Sequence, residues 1–128
     1  MKPFIHARNS AKKYGGTWEE YLKFHEWFDQ TKSHIADMRH RAILHNSFGI
    51  YLLAQQFGDH FTNSVGKLVS VRDVGEDHVL EDLGTIPSLS DCIKTMPIEK
   101  MELLGARRKR VRYENGEATA VVVHDQYD

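Results

Sequence analysis

The sequence predicts an α+β fold, mainly α: a compact helical bundle around a buried central helix, with a short mid-chain β-hairpin and a C-terminal β-hairpin. Three observations predict it. Apolar residues recur at helical spacing through residues 18–57, and glycines and prolines punctuate the chain at short intervals beyond them. An Asn-Gly pair also lies between two strand-like runs near the C-terminus.

Taken in order, residues 1–16 read as an irregular arm ending at the Gly15-Gly16 break. Thr17 followed by Glu20 spells a capping box, which opens a helix over 18–29. Trp18, Tyr21, Leu22 and Phe28 form its apolar stripe, and His25 shares that face. A longer helix is expected from near Lys32, capped by Thr31 or Ser33, to Phe57, where Gly58 stops it. Its second half, AILHNSFGIYLLAQQF, is apolar almost all round, which makes it the buried central helix.

HFTNSVGKLVSVRDV then spells a hairpin with Asn63-Ser64-Val65-Gly66 as its turn. GEDHVLEDLG, 75–84, is a short helix closed by Gly84, and Pro87-Ser88 introduces another over 89–96, stopped by Pro97. RRKRVRYENGEATAVVV is the C-terminal hairpin, turning at Asn115-Gly116, and HDQYD is a frayed tail. Residues 1–97 are thus the helical core with its arm, and 98–128 a hairpin extension and tail of the same domain.

Composition bounds the function classes. A chain of 128 residues suits one domain, and a net charge of −1 gives no argument for nucleic acid or an anionic membrane. No apolar run approaches the roughly 20 residues that span a bilayer. The start lacks the apolar core of a secretory signal, so a cytoplasmic protein is expected (host cytoplasm if phage-encoded). One cysteine, Cys92, excludes an intramolecular disulfide and a multi-cysteine zinc site.

Eight histidines are the unusual feature. On a continuous helix, at about 100° per residue, His34, Asp37, Arg41 and His45 fall within an arc of roughly 80°. Met38, Phe48, Gly49 and Leu52 continue that side inward, while Arg39 and His40 point elsewhere. Histidine and aspartate three or four residues apart can share one divalent cation, and an arginine beside them can hold a phosphate or carboxylate. Alternatively, Asp37–Arg41 is an ordinary ion pair and His45 a hydrogen-bonded core histidine.

Two more His/acid pairs at i, i+4 are His78 with Asp82 and His25 with Asp29. Pairs on three helices of one small domain could build a carboxylate–histidine centre in a bundle core. The expected metal ligands are His34, His45, His78 and Asp82, holding zinc, manganese or iron(II). Glu81, Asp37 and Arg41 are the expected catalytic groups, with Arg41, Arg72 and Lys32 binding an anionic substrate.

Beyond these residues, the blocks YLKFHEWFDQTKSHIADMRHRAILHNSFGIYLL, FG and TNSVGKLVSVRDVGEDHVLEDLGTIPSLSD resemble a family of small uncharacterised proteins of bacteriophages and bacteria, over roughly residues 1–95. The family's pattern stands here as an RHRxxxH segment (Arg39, His40, Arg41, His45) and a GExHxxEDLG segment (Glu76, His78, Glu81, Asp82). It often has a second histidine at Asn46, an acid at Ala54 and an aromatic at Cys92. The resemblance implies phage association and no established activity.

Arg107, Arg108, Lys109, Arg110 and Arg112 are split by strand alternation, with 108, 110 and 112 on one face and 107 and 109 on the other. One face is thus a cationic stripe able to follow phosphates, or an edge strand kept soluble by charge; the second is favoured, because Glu114, Glu117, Asp125 and Asp128 dilute it. The apolar run 120–123 suggests a homo-oligomer through the C-terminal strands. Two classes of function follow: a metal-dependent hydrolase of a phosphate-containing or other anionic small substrate, or a non-enzymatic phage accessory or binding protein whose His/Asp/Arg network is structural.

Overall fold

The computed structural model describes residues 1–94 and the backbone of residues 109–114 and 117–122. The fold is α+β and mainly α. Helix α1 spans Pro3–Tyr14, α2 Glu19–Phe28, α3 Arg41–Leu44, α4 Ser47–Phe57, α5 Val71–Leu83 and α6 Leu89–Ile93. Strands β1 (His60–Thr62) and β2 (Leu68–Ser70) pair antiparallel, as do β3 (Lys109–Glu114) and β4 (Glu117–Val122). The β3–β4 register sets Glu114 opposite Glu117, the spacing of a two-residue hairpin connection. Side chains of the basic stripe, the expected end of the sixth helix at Pro97, and the tail lie outside the described residues, as does any strand-mediated oligomer contact or nucleic-acid contact through them.

The helices α1, α2, α4 and α5 enclose a core of Tyr21, Phe24, Phe28, Ile50, Leu53, Val71, Val74 and Val79, all 3% exposed or less. Gly75 lets α5 lie close: a Cβ there would meet Leu53 Cδ2 at 2.9 Å and Phe28 Cζ at 3.3 Å. No helix among the described residues is long and apolar enough to cross a membrane.

Two expectations are corrected. The first sixteen residues are not an arm but carry α1, started by Pro3 in the first turn and ended at Gly15, whose φ of 91° is open to glycine. His6, Ala7 and Ser10 are its buried face, and Lys13 and Tyr14 both donate to the Asp77 carboxylate of α5.

The helix expected over 32–57 is broken twice. Residues Gln30–Ser33 and Met38–His40 are separate 3-10 turns, and Asp37 starts the second by accepting from the Arg39 amide at 2.9 Å. The second break is at His45-Asn46. Asn46 adopts an extended backbone (φ −156°, ψ 176°) and its Oδ1 caps α4 by accepting from Gly49 N at 2.9 Å, while its Nδ2 donates to Ala42 O and Ile43 O. An Asn side chain that serves the backbone this way favours a helix start over a helix interior. The His34–Asp37–Arg41–His45 arc therefore does not exist. Met38 and Phe48, expected inward, are 62% and 44% exposed, and α4 buries only the Gly49, Ile50 and Leu53 side.

The hairpin turn is tied to the α1–α2 junction by Asn63, 4% exposed. Its Oδ1 accepts from Val65 N and Lys67 N, and its Nδ2 donates to Tyr14 O and the Tyr21 hydroxyl. Glu20 adds a second tie, accepting from Thr17 N at 2.8 Å and from the amide and hydroxyl of Ser64. Helix α5 begins four residues earlier than expected, with the Ser70 hydroxyl accepting from Asp73 N as its cap.

Two measurements check this account. A Cβ at Gly49 would stand 1.8 Å from the Leu44 carbonyl oxygen, a backbone atom that cannot swing aside. Gly49→Ala should therefore cost about 3 kcal/mol in urea denaturation, against about 1 kcal/mol for Gly75→Ala, where the Leu53 side chain can give; equal losses would contradict the tight α3–α4 corner. The donors of Thr17 and Ser64 hold the Glu20 carboxyl below its ordinary value of 4.5. Its contribution is then present above that value and lost as pH falls through the lower folded one. Thermal midpoints of the wild type and Glu20→Gln should differ at neutral pH and converge in acid.

Candidate metal centre

Five of the described histidines are buried, and four of them meet in the core. His6 comes from α1, His25 from the last turn of α2, His78 from the middle of α5, and His45 from the break between α3 and α4. Each of the four is fully buried. His45 reaches the core because it ends α3 with a non-helical ψ of 59°. Asp82, one turn after His78, has a side chain only 1% exposed, and Asp29 ends α2 with a side chain 9% exposed.

Asp82 is the hub. Its Oδ2 lies 2.9 Å from His45 Nε2 and 3.3 Å from His78 Nε2, and its Oδ1 lies 3.1 Å from His6 Nε2. Burial alone would raise this carboxyl, but the hydrogen bonds of His45, His6 and His78 outweigh it and hold the group far below the usual carboxylate range. Asp82 is therefore an anion in a dry site, the state a cation would require. Burial pushes His25 down to about 2 and His78 down to about 4, so both are neutral with a lone pair to give. His6 goes the other way. Burial opposes its protonation, yet the carboxylates of Asp82 and Glu81, at 3.1 and 3.2 Å, raise it above its ordinary value.

Among the described residues, two groupings could in principle hold an ion: His6, His25 and His78, and Asp29, His45, His78 and Asp82. Geometry separates them. His25 Nδ1 and His78 Nδ1 are 2.9 Å apart, with ring centroids 5.1 Å apart and planes within 20°. The two nitrogens thus face each other almost head-on in a shared plane, whereas an ion between them needs about 4 Å. That contact is an N–H···N hydrogen bond.

The second grouping converges instead. His45 Nε2 and His78 Nε2 are 3.1 Å apart with rings inclined by 55°, so with Asp82 Oδ2 the three spacings are 2.9, 3.1 and 3.3 Å. With bonds of about 2.0–2.1 Å, ligands of one ion stand about 2.9 Å apart at 90° and about 3.3 Å apart at the tetrahedral angle. Asp29 Oδ1 stands 3.9 Å from His45 Nε2, and Asp29 Oδ2 is buried without a hydrogen bond.

The edge of the centre is cationic. Arg41 Nη2 lies 3.6 Å from Asp82 Oδ1, and its Nε has no hydrogen-bond partner. Lys32 Nζ lies 3.7 Å from Asp29 Oδ2 with a side chain 52% exposed. Glu81 accepts from the Asn9 amide and reaches Asp82 only through His6.

The structure thus brings together His45, His78 and Asp82, with Arg41, Lys32 and Glu81 around them, but not the other expected residues. His34 is exposed after the first 3-10 turn, in a groove lined also by Asp37, Arg39 and Cys92 and by none of the buried histidines. Asp37 pairs with Arg39 at 2.7 Å on the surface, and Arg72 is 72% exposed beside Glu76. Broken helix geometry displaced His34 and Asp37. His6 and Ser10 went unread because their segment passed for an arm. The signal was there: Pro3 in a first turn, Lys12 and Lys13 in a last one, and His6, Ser10 and Tyr14 at helical spacing.

Asp82→Ala should be costly even in chelator-treated protein, because it strands buried imidazole nitrogens: about 3 kcal/mol by urea denaturation. Asp37→Ala, at an exposed pair, should shift the midpoint far less; similar losses would remove Asp82 as the hub.

No curated protein and no solved structure matches the chain. A family model described as a domain of unknown function, DUF6915, matches residues 1–101, a span that holds every element from α1 to α6 and all the residues of the buried centre. The chain belongs to the DUF6915 family.

Proposed function

We propose that this chain is a metal-dependent hydrolase of an anionic substrate, built on one divalent ion held by His45 Nε2, His78 Nε2 and Asp82 Oδ2, with Asp29 as a fourth ligand. The observation that carries the reading is the spacing of the three donor atoms, 2.9–3.3 Å, in a dry core where Asp82 is anionic and His78 neutral. A histidine and carboxylate set without cysteine suits zinc, manganese or iron(II). Such an ion activates water and polarises a phosphoryl or acyl oxygen.

The protein's own groups supply the rest. Arg41, with unspent donors beside Asp82, orients an anionic group of the substrate, and Lys32 adds positive charge at the Asp29 edge. Glu81, its side chain 22% exposed, accepts a proton and is coupled to Asp82 through His6.

A second reading draws on the complete burial of His45 and His78. An ion so enclosed would clip α5 to the α3–α4 corner in a non-enzymatic binding protein. The two separate on activity, since both require the ion.

Protein purified without chelator should carry about one equivalent of metal by elemental analysis, and EDTA should lower its thermal midpoint. His45→Ala and His78→Ala should each lose the metal. Metal-loaded protein should hydrolyse bis(p-nitrophenyl) phosphate, with KM raised about tenfold or more in Arg41→Ala. Bound metal without hydrolysis would leave the clip; no metal and an unchanged midpoint after EDTA would falsify both.

A further inference from the structure

We propose that Ser10 and His25 are positioning residues for this centre: a buried hydroxyl–imidazole chain that fixes which nitrogen of His78 faces the ion. The inference rests on the metal reading above and goes beyond it, because neither residue would touch the ion.

The chain is continuous. Ser10 Oγ lies 2.8 Å from His25 Nε2, and His25 Nδ1 lies 2.9 Å from His78 Nδ1. All three side chains belong to the core, Ser10 at 3% exposure and both histidines fully buried, so no solvent competes for these bonds. Phe28 stacks on the His78 ring with centroids 4.5 Å apart and planes within 14°, which holds the ring plane but cannot tell its two nitrogens apart. The hydrogen bond at Nδ1 does that from the side away from Asp82, which faces Nε2.

Proton counting gives the chain a direction. A neutral imidazole carries one N–H, and two Nδ1 atoms 2.9 Å apart leave room for a single proton between them. If Nε2 of His78 gives its lone pair to an ion, its proton must sit on Nδ1 and be donated to His25 Nδ1. His25 Nδ1 is then an acceptor, so the His25 proton sits on Nε2 and is donated to Ser10 Oγ. Each imidazole N–H along the chain meets an acceptor. A ligating histidine is ordinarily held this way by a carboxylate or carbonyl. Here a second histidine does the work, and the serine sets the tautomer of that second histidine.

The arrangement also explains why the grouping of His6, His25 and His78 is not a second metal site. The His25–His78 edge is already closed by a proton, and the two nitrogens of His6 are turned to Glu81 and Asp82.

Cobalt(II) reads the geometry of the centre directly. Wild type should bind about one equivalent and show visible d–d bands. Asparagine at position 25 places an amide oxygen near the site of Nδ1, so His25→Asn should keep near wild-type cobalt affinity and bands. His25→Leu, of similar bulk with no acceptor, should weaken binding by about 10–100-fold and shift the bands. Ser10→Ala should do the same to a lesser degree. Its ¹⁵N spectrum should also lose the single tautomer of His25 (Nε2 protonated, Nδ1 bare) expected in the loaded wild type. Far-UV circular dichroism of the chelator-treated proteins establishes that each variant is folded; if His25→Leu is not, Ser10→Ala carries the test. Unaltered cobalt affinity and bands in the folded variants, with wild type binding normally, overturn this inference alone. Failure of wild type to bind cobalt overturns the metal reading beneath it.

Discussion

A carboxylate removed from water must be neutralised, protonated or surrounded by donors, and in this chain the third course shapes the whole interior. Asp82 collects His6 from the first helix, His45 from a break in the middle of the chain and His78 from its own helix. Each donor constrains a different element. His6 fixes the rotation of α1 against α5, His45 requires the α3–α4 corner to point inward, and His78 follows from the i, i+4 spacing on α5. The apolar core of Tyr21, Phe24, Phe28 and Leu53 fills the space beside this polar centre. The two are joined through Phe28, which stacks on His78 and meets His45 edge-on.

What was legible in the sequence is what depends on local pattern. The helix after Thr17, the hairpin at Asn63–Gly66 and the α5 pair His78–Asp82 each follow from an apolar stripe, a turn or one helical repeat. Trp18 and not Thr17 is the α2 cap residue, however, and only Glu20, accepting from Thr17 N, forms its half of the expected box. The helix of residues 3–14 was legible in principle, but its weak apolar face, with histidine and serine at buried positions, looked like a polar arm. A buried face made of hydrogen-bonding side chains does not announce itself as apolar periodicity.

The breaks at 34–37 and 45–46 were illegible for another reason. A run that is apolar on all sides supports a continuous helix equally well, and nothing local says that Asn46 will serve as a cap instead of an interior residue. The choice is made by tertiary need. His45 ends α3 with a non-helical ψ of 59°, and in that conformation its imidazole reaches the carboxylate at 2.9 Å. Arg41 and His45 are close to Asp82 because the helix ends, not because it runs on.

The seat of His6 against Asp82 also says something about the order in which the molecule can assemble. These residues are 76 positions apart in the chain, and the Lys13–Asp77 and Tyr14–Asp77 bonds have separations of 64 and 63. The α2 helix, the hairpin and α5 can each form from near neighbours, and α1 packs chiefly on its neighbour α2, but the bonds of His6, Lys13 and Tyr14 have to wait for α5. Until those bonds close, the Asp82 Oδ1 that His6 covers lacks this donor. Seating His6 on Asp82 is thus the step that joins the first helix to the last long one, and it ties the burial of the carboxylate to closure of the whole helical core.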